Sequence, residues 1–316
     1  MDGFRSTCSA GLRQPVIFSL TLLAALTVYL YGFHGNTEQA AVQGHSAIRW
    51  MVARWSGEVA ADLSHGWLIP LVSLYALWQR RKTLAEAAGA PDWRGVLLVT
   101  AAFGLYWIGV QGQQTRLTLL SLILLLWSVP FAYWGWPVAR QLVFPVGYLI
   151  FCVPLSFLDS LTFPLRLFAS MVSTAILNGI GIATVRMGTA IHSAVAGGFS
   201  FEVADPCSGL RSVLAMTALA AAYAHFIQRG RFRQWALFLA AFPLAVAGNI
   251  VRIVMIGVVA RLAGQEQASG FYHHYSGYVF FIAAAALMVG VAALINRDWK
   301  STWTALLSER RSGPRA

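Results

Sequence analysis

A chain of 316 residues that is 58% hydrophobic and 11% charged, with a mean hydropathy of +0.62, cannot bury its apolar surface in a water-soluble core. Its net charge of +11 falls in short loops beside apolar runs rather than as a stripe on a soluble face, so membrane topology explains the charge and nucleic acid does not. The expected fold is an all-α polytopic integral membrane protein.

About eight transmembrane helices are expected, each near the length that crosses the hydrocarbon core. The runs are Val16 to Phe33, His65 to Trp78, Gly95 to Val110, Leu117 to Tyr133, Leu142 to Phe157, Gly209 to Ile227, Trp235 to Val258 and Gly277 to Ile295. Trp67, Trp78, Trp93, Trp134, Trp136 and Trp235 stand at their ends as aromatic anchors at headgroup level. Arg5, Arg13, Arg80, Arg81, Lys82, Arg94, Arg140, Arg229, Arg231, Arg233, Arg297 and Lys300 all fall on one side if the runs alternate. The rule that basic loops stay inside then puts both termini in the cytoplasm. The first run lacks a small-residue cleavage pattern and is expected to stay as an anchor.

One apolar stretch, Leu165 to Val185, would reverse every later helix if it spanned. Its Arg166, Ser170, Ser173, Thr174 and Asn178 give it a polar side, so an interfacial or re-entrant helix is expected there. From Arg186 to Asp205 the pattern becomes that of a short extracytoplasmic β-hairpin, with Val185, Met187, Ile191, Val195, Phe199, Phe201 and Val203 set among Gly188, Gly197 and Gly198. The expected organisation is one transmembrane domain over 1–316, with a cytoplasmic lead at 1–15, the hairpin at 186–205 and a basic cytoplasmic tail at 297–316.

The chemistry gathers where the hairpin ends. Asp205 suits a helix N-cap and Pro206 the first helical position, which places Cys207 beside free backbone amides. A helix N-terminus favours thiolate, the Asp205 carboxylate opposes it, and Arg211, one turn on, offsets that carboxylate. Cys8 and Cys152 fall elsewhere in the expected topology, so Cys207 has no disulfide partner on the outer side. A small buried apolar cysteine describes Cys152 better than Cys207.

Arg252 falls inside the seventh run, nearer its outer end, where a guanidinium is costly and where two of its N–H groups can stabilise an oxyanion. A structural pairing with Asp205, Glu202 or a helix end is the bland alternative. Asn249 orients Arg252 or binds substrate backbone. His273 and His274 open the last run from the same side, and one of them can act as general base and acid. His65 either binds substrate or sits at the interface. No CxxC, HExxH or P-loop pattern appears, so neither a metal nor a cofactor is expected.

These residues carry a resemblance to the exosortase and archaeosortase family of polytopic membrane cysteine transpeptidases. Phe201 to Arg211, containing Asp205-Pro206-Cys207-Ser208-Gly209-Leu210-Arg211, is similar to the family's acidic-x-Cys-Ser-Gly-Leu-Arg motif. Asn249 to Arg252 resembles its arginine motif, and His273 with Gly277 and Phe281 its histidine motif. Ser64-His65-Gly66 with Pro70 and Trp78 resembles its upstream signature, and Val153-Pro154-Leu155 to Leu165 its middle segment. Asp205 stands where a glutamate is more usual and Pro206 where alanine is. The resemblance implies catalytic roles for Cys207, Arg252 and His273, the motif spacing favouring His273 over His274.

The implied substrates are secreted proteins with a C-terminal sorting motif of the Pro-Glu-Pro type, a transmembrane helix and a basic tail. The implied acceptor is a glycan or lipid-linked precursor at the cell surface. Some family members carry a fused accessory domain that has no counterpart here, so protein partners are expected to be separate chains. The competing class is a non-enzymatic transport or exopolysaccharide-assembly protein, for which internal repeats and midplane helix breaks are expected. No clear repeat is seen. An enzyme using the same thiol on a lipid substrate is a third reading.

Overall fold

The computed structural model describes residues 3–34, 46–56, 64–153, 157–195, 198–202, 210–268 and 273–296; within these, the side chains of 3–13, 157–162, 210–212 and 273–278 are outside the description. The chain divides into two compact units, Met1–Leu155 and Ser156–Ala316.

In the first unit, helix α1 (Gly3–Val28) runs into a π turn at Tyr29–Phe33. Helix α2 (Ala47–Trp55) follows, capped by the Ser46 hydroxyl accepting from the Arg49 N–H. A 3-10 turn (Ser64–Trp67) leads into α3 (Leu68–Gln79) and the short α4 (Arg81–Glu86). Helix α5 (Trp93–Gln111) is capped by Asp92, and α6 (Thr115–Gly147) passes into a 3-10 turn at Tyr148–Cys152.

Helix α6 is two rods. Gly135 breaks it with φ 73° and ψ −177°, a conformation open to glycine and little else. Beyond the break the chain folds back: the Trp127 indole donates to the carbonyl of Ala139 at 2.8 Å, although twelve residues of straight helix would span about 18 Å. Thus the expected fourth and fifth spans are helical arms of one broken element, and the fifth ends as a 3-10 turn at Cys152 rather than as α-helix to Phe157.

Helix α5 lies antiparallel to the first arm. A methyl on Gly95 would strike the backbone of Phe131 and Ala132, one on Gly109 would meet Thr118, and Ala102 shares a core with Leu125 midway. Small residues at seven-residue spacing let the two backbones approach closely, as helices in lipid require.

Arg80 donates to the Gln141 carbonyl, Gly89 N–H to Trp134 and Asp92 N–H to Ala132, which gathers Arg80 to Arg94 and Arg140 at one end of this unit. At the other end Arg54 stacks over Trp50 at 3.7 Å, with Arg116 at 5.9 Å from the same ring, and Trp55 donates to the Cys152 carbonyl at 2.9 Å.

In the second unit, helix α7 (Phe157–Gly179) precedes a three-stranded antiparallel sheet, β1 (Thr184–Met187), β2 (Ala190–Ser193) and β3 (Ser200–Glu202), in order β1-β2-β3. Helices α8 (Leu210–Ile227), α9 (Arg231–Ala263), a single turn α10 (Gln265–Gln267) and α11 (His273–Asn296) follow. The expected hairpin therefore starts two residues earlier and gains a strand. The register pairs Met187 with Ala190 across the first turn, and Ile191 with Phe201 across the second pair.

The polar side of α7 faces inward. Ser170 and Ser173 are fully buried, bonding to Gly188 and Ile250 carbonyls, while Asn178 accepts from the Thr184 N–H and donates to its carbonyl. Phe163, Phe168, Met171 and Ile176 are outward instead. Polar groups inward and apolar groups outward is the arrangement lipid selects, not that of a helix offering its polar side to water.

Each expected span is helical over most of its length. Among the described residues five runs are long and apolar enough to cross a membrane: Gln14–Phe33, Trp93–Gln111, Thr115–Cys152, Arg231–Ala263 and Val279–Asn296. Thr115–Cys152 holds both arms of α6. Phe18, Leu71, Trp107, Leu239 and Ile282 point outward from their helices. The architecture is that of a mostly helical polytopic membrane protein.

Candidate active site

Helix α9 organises the second unit by changing partners along its length. Its N-terminal half presents Leu237, Ala241 and Ala245 to Met216, Ala220 and Ala224 of α8 and to Ala284, Met288 and Ala292 of α11. Its C-terminal half presents Ile253, Ile256 and Ala260 to Ala169 and Leu177 of α7 and to Ile191 and Phe199 of the sheet. Asn249 and Arg252 lie at the switch between these two cores, three residues apart and therefore on neighbouring positions of one helix face.

A cleft of about 340 Å³, counted to its open mouth, lies at that point. Ala245, Gly248, Asn249 and Arg252 form one wall, Met216 another, and Phe280, Phe281 and Ala284 a third. Most of its lining is hydrocarbon. Asn249 is 8% exposed, lines the cleft and makes no side-chain hydrogen bond among the described residues. Asn249 thus lies beside Arg252 at the cleft wall.

Helix α11 runs antiparallel to α9, since a methyl on Gly248 would meet Ala284 Cβ at 3.6 Å while Arg252 shares the cleft with Phe280. Position 273 then lies two helical turns, about 10 Å, beyond Phe280 towards the C-terminal end of α9. Positions 273 and 280 share one helical phase, and 274 and 281 share the next, so phase does not separate His273 from His274. On α8 the cleft-facing position is Met216, and position 211 lies about 140° round the helix from it.

Cys207 and Asp205 lie outside the described residues, as do the side chains of Arg211, His273 and His274. His65 sits in the 3-10 turn of the first unit, next to Gly66, which is packed on the Trp55 indole. The described residues thus bring Arg252 and Asn249 together on one cleft and leave the cysteine–histidine geometry open. Among those residues no three His, Cys, Asp or Glu side chains gather to hold a metal ion.

Sequence reasoning missed the cleft wall. Ala245, Gly248, Asn249 and Arg252 follow 3-, 4- and 7-residue spacings that mark one face of a helix, and that stripe was readable. Met216, Phe280 and Ala284 carry no such mark. Gln265 was missed too: its amide accepts from the Ser200 N–H at 3.1 Å and donates to the Ser200 carbonyl at 2.7 Å. It acts as a surrogate strand on the free edge of β3, tying the segment that leads to Cys207 to the end of α9.

Helices that face lipid with their apolar sides, and a half-buried guanidinium beside a buried amide on a narrow cleft, define a polytopic membrane protein with a polar site set among its helices. The description of the transmembrane exosortases matches residues 55–290, well over half of the chain, and the chain belongs to that family. No curated protein and no solved structure matches it.

Proposed function

We propose that this exosortase is a cysteine endopeptidase and transpeptidase that cleaves C-terminal tripartite sorting signals at the outer boundary of the membrane. Cys207 gives its proton to His273, and the thiolate attacks the carbonyl of the scissile bond. Arg252 holds the tetrahedral oxyanion, and His273 returns the proton to the leaving amine as the C–N bond breaks. The thioester left on Cys207 is resolved by a nucleophile on a glycan or lipid-linked acceptor, or by water. Asp205 and Arg211 tune the thiol, His274 is the neighbouring imidazole, and His65 contributes to substrate binding. The whole chain acts as one exosortase domain, with 1–15 and 297–316 cytoplasmic.

The observation that carries this reading is the placement of Arg252 beside Asn249 on a cleft walled by α8 and α11, the two helices whose N-terminal ends follow Cys207 and begin at His273. The orientation is supported by charge. Arg231 and Arg233 begin α9 at the end away from the sheet, so basic-inside orientation puts the sheet, and the nearer end of α9 to Arg252, on the extracytoplasmic side.

The test is cleavage of a co-expressed secreted protein bearing a tripartite tail by the intact enzyme, Cys207→Ser and Cys207→Ala at matched membrane abundance. Retention of the tail in both variants is the expected result. Undiminished processing would remove the nucleophile and return the chain to a transport or exopolysaccharide-assembly role.

A further inference from the structure

Resting on that reading, we propose that the α8–α9–α11 cleft is the enzyme's side-chain specificity pocket. It accepts one small apolar side chain of the peptide next to the scissile bond, while the Asn249 amide holds that residue's backbone.

Three observations meet here. Asn249 is more than nine-tenths buried, has no side-chain hydrogen bond among the described residues and opens on the cleft. A buried amide needs partners, and a ligand that supplies them must both accept and donate. A peptide unit, with one C=O and one N–H, matches a primary amide on both counts, whereas a phosphate or a sugar ester carbonyl can only accept. Beyond Asn249 and Arg252, the latter given to the oxyanion in the reading above, the lining is Met216, Ala245, Gly248, Ala284 and the two phenylalanines, all apolar. The cleft is narrow, so the side chain it takes is small.

Gly248 makes the pocket testable. A methyl at this position would meet only Ala284 Cβ, at an ordinary van der Waals 3.6 Å. In a helix interior alanine is the better residue, so Gly248→Ala fills the pocket without disturbing the fold. Ala284→Gly removes the facing methyl and enlarges it.

The experiment measures kcat/KM in detergent-solubilised full-length enzyme on tripartite peptides whose residue before the cleaved bond, mapped by mass spectrometry, is glycine, alanine, valine or leucine. Gly248→Ala should lower the valine-to-glycine ratio by about tenfold or more, the usual worth of one methylene in an apolar pocket. Ala284→Gly should shift the preference the opposite way, towards leucine. Asn249→Ala should lower kcat/KM on every peptide by a similar factor and leave the order of preference unchanged. Unaltered ratios in both Gly248→Ala and Ala284→Gly would overturn the pocket, and an undiminished Asn249→Ala would overturn the backbone contact. Cys207→Ala, run alongside, separates the two failures: if it is inactive while the ratios stay flat, only the pocket falls, and if it still cleaves, the thiol reading falls and takes the pocket with it.

Discussion

The two halves of α9 are packed by different rules. The N-terminal half meets α8 and α11 through alanines at four-residue spacing, which lets three helices close on one another with little side-chain volume between them. The C-terminal half meets α7 through leucine and isoleucine, and approaches closely only where Gly257 faces Leu177. Along that second contact Ser173 lies by Ile250 and Leu177 by Gly257, so α7 and α9 point the same way. The cleft with Asn249 and Arg252 lies where the first packing gives way to the second, and its lining comes from α8, α9 and α11.

The comparison predicts that disturbing the switch costs chemistry and disturbing either half costs stability. Arg252→Ala should give the largest effect, a loss of about 10²-fold to 10³-fold in cleavage at unchanged abundance, and Arg252→Lys should not restore it because an ammonium lacks the planar fork. Equal activity of Arg252→Lys and wild type would mean that only charge matters there.

Gly257→Ala comes next. Its added methyl would lie 2.8 Å from Leu177 Cδ1, an overpacking that costs about 1–3 kcal/mol in thermal unfolding. Paired with Leu177→Ala it should cost less than the sum of the single changes, and strict additivity would show that the two residues do not press on one another.

Gln265→Ala should be milder, about 1 kcal/mol or less for each of the two lost bonds to Ser200. Its mark is faster amide exchange at Ser200 with slower cleavage. Unchanged exchange would remove Gln265 as the clasp of β3. The smallest effect is expected from Ser173→Ala, whose 3.4 Å bond to Ile250 is long; a shift within about 0.5 kcal/mol is the expectation, and a larger one would make that bond part of what fixes α7 on α9.

The sequence by itself determined the solvent and the elements. Apolar runs of the right length can only be helices in lipid, because their backbone groups have no water to turn to, and the Gly188 turn was marked by residue type. Arg252 and Asn249 were legible for the same reason, since a cation and an amide inside an apolar helix stand out against their surroundings. Tertiary structure alone decided how the elements met. The inward turn of Ser170 and Ser173 on α7, the third strand held by Gln265, and the cleft made by Met216, Phe280 and Ala284 depend on which neighbour each helix found. Alanine, methionine and phenylalanine look the same in sequence whether they face lipid, another helix or a substrate. In a membrane the apolar side of a helix no longer identifies its core side, so composition reveals that a helix forms but not which way it turns.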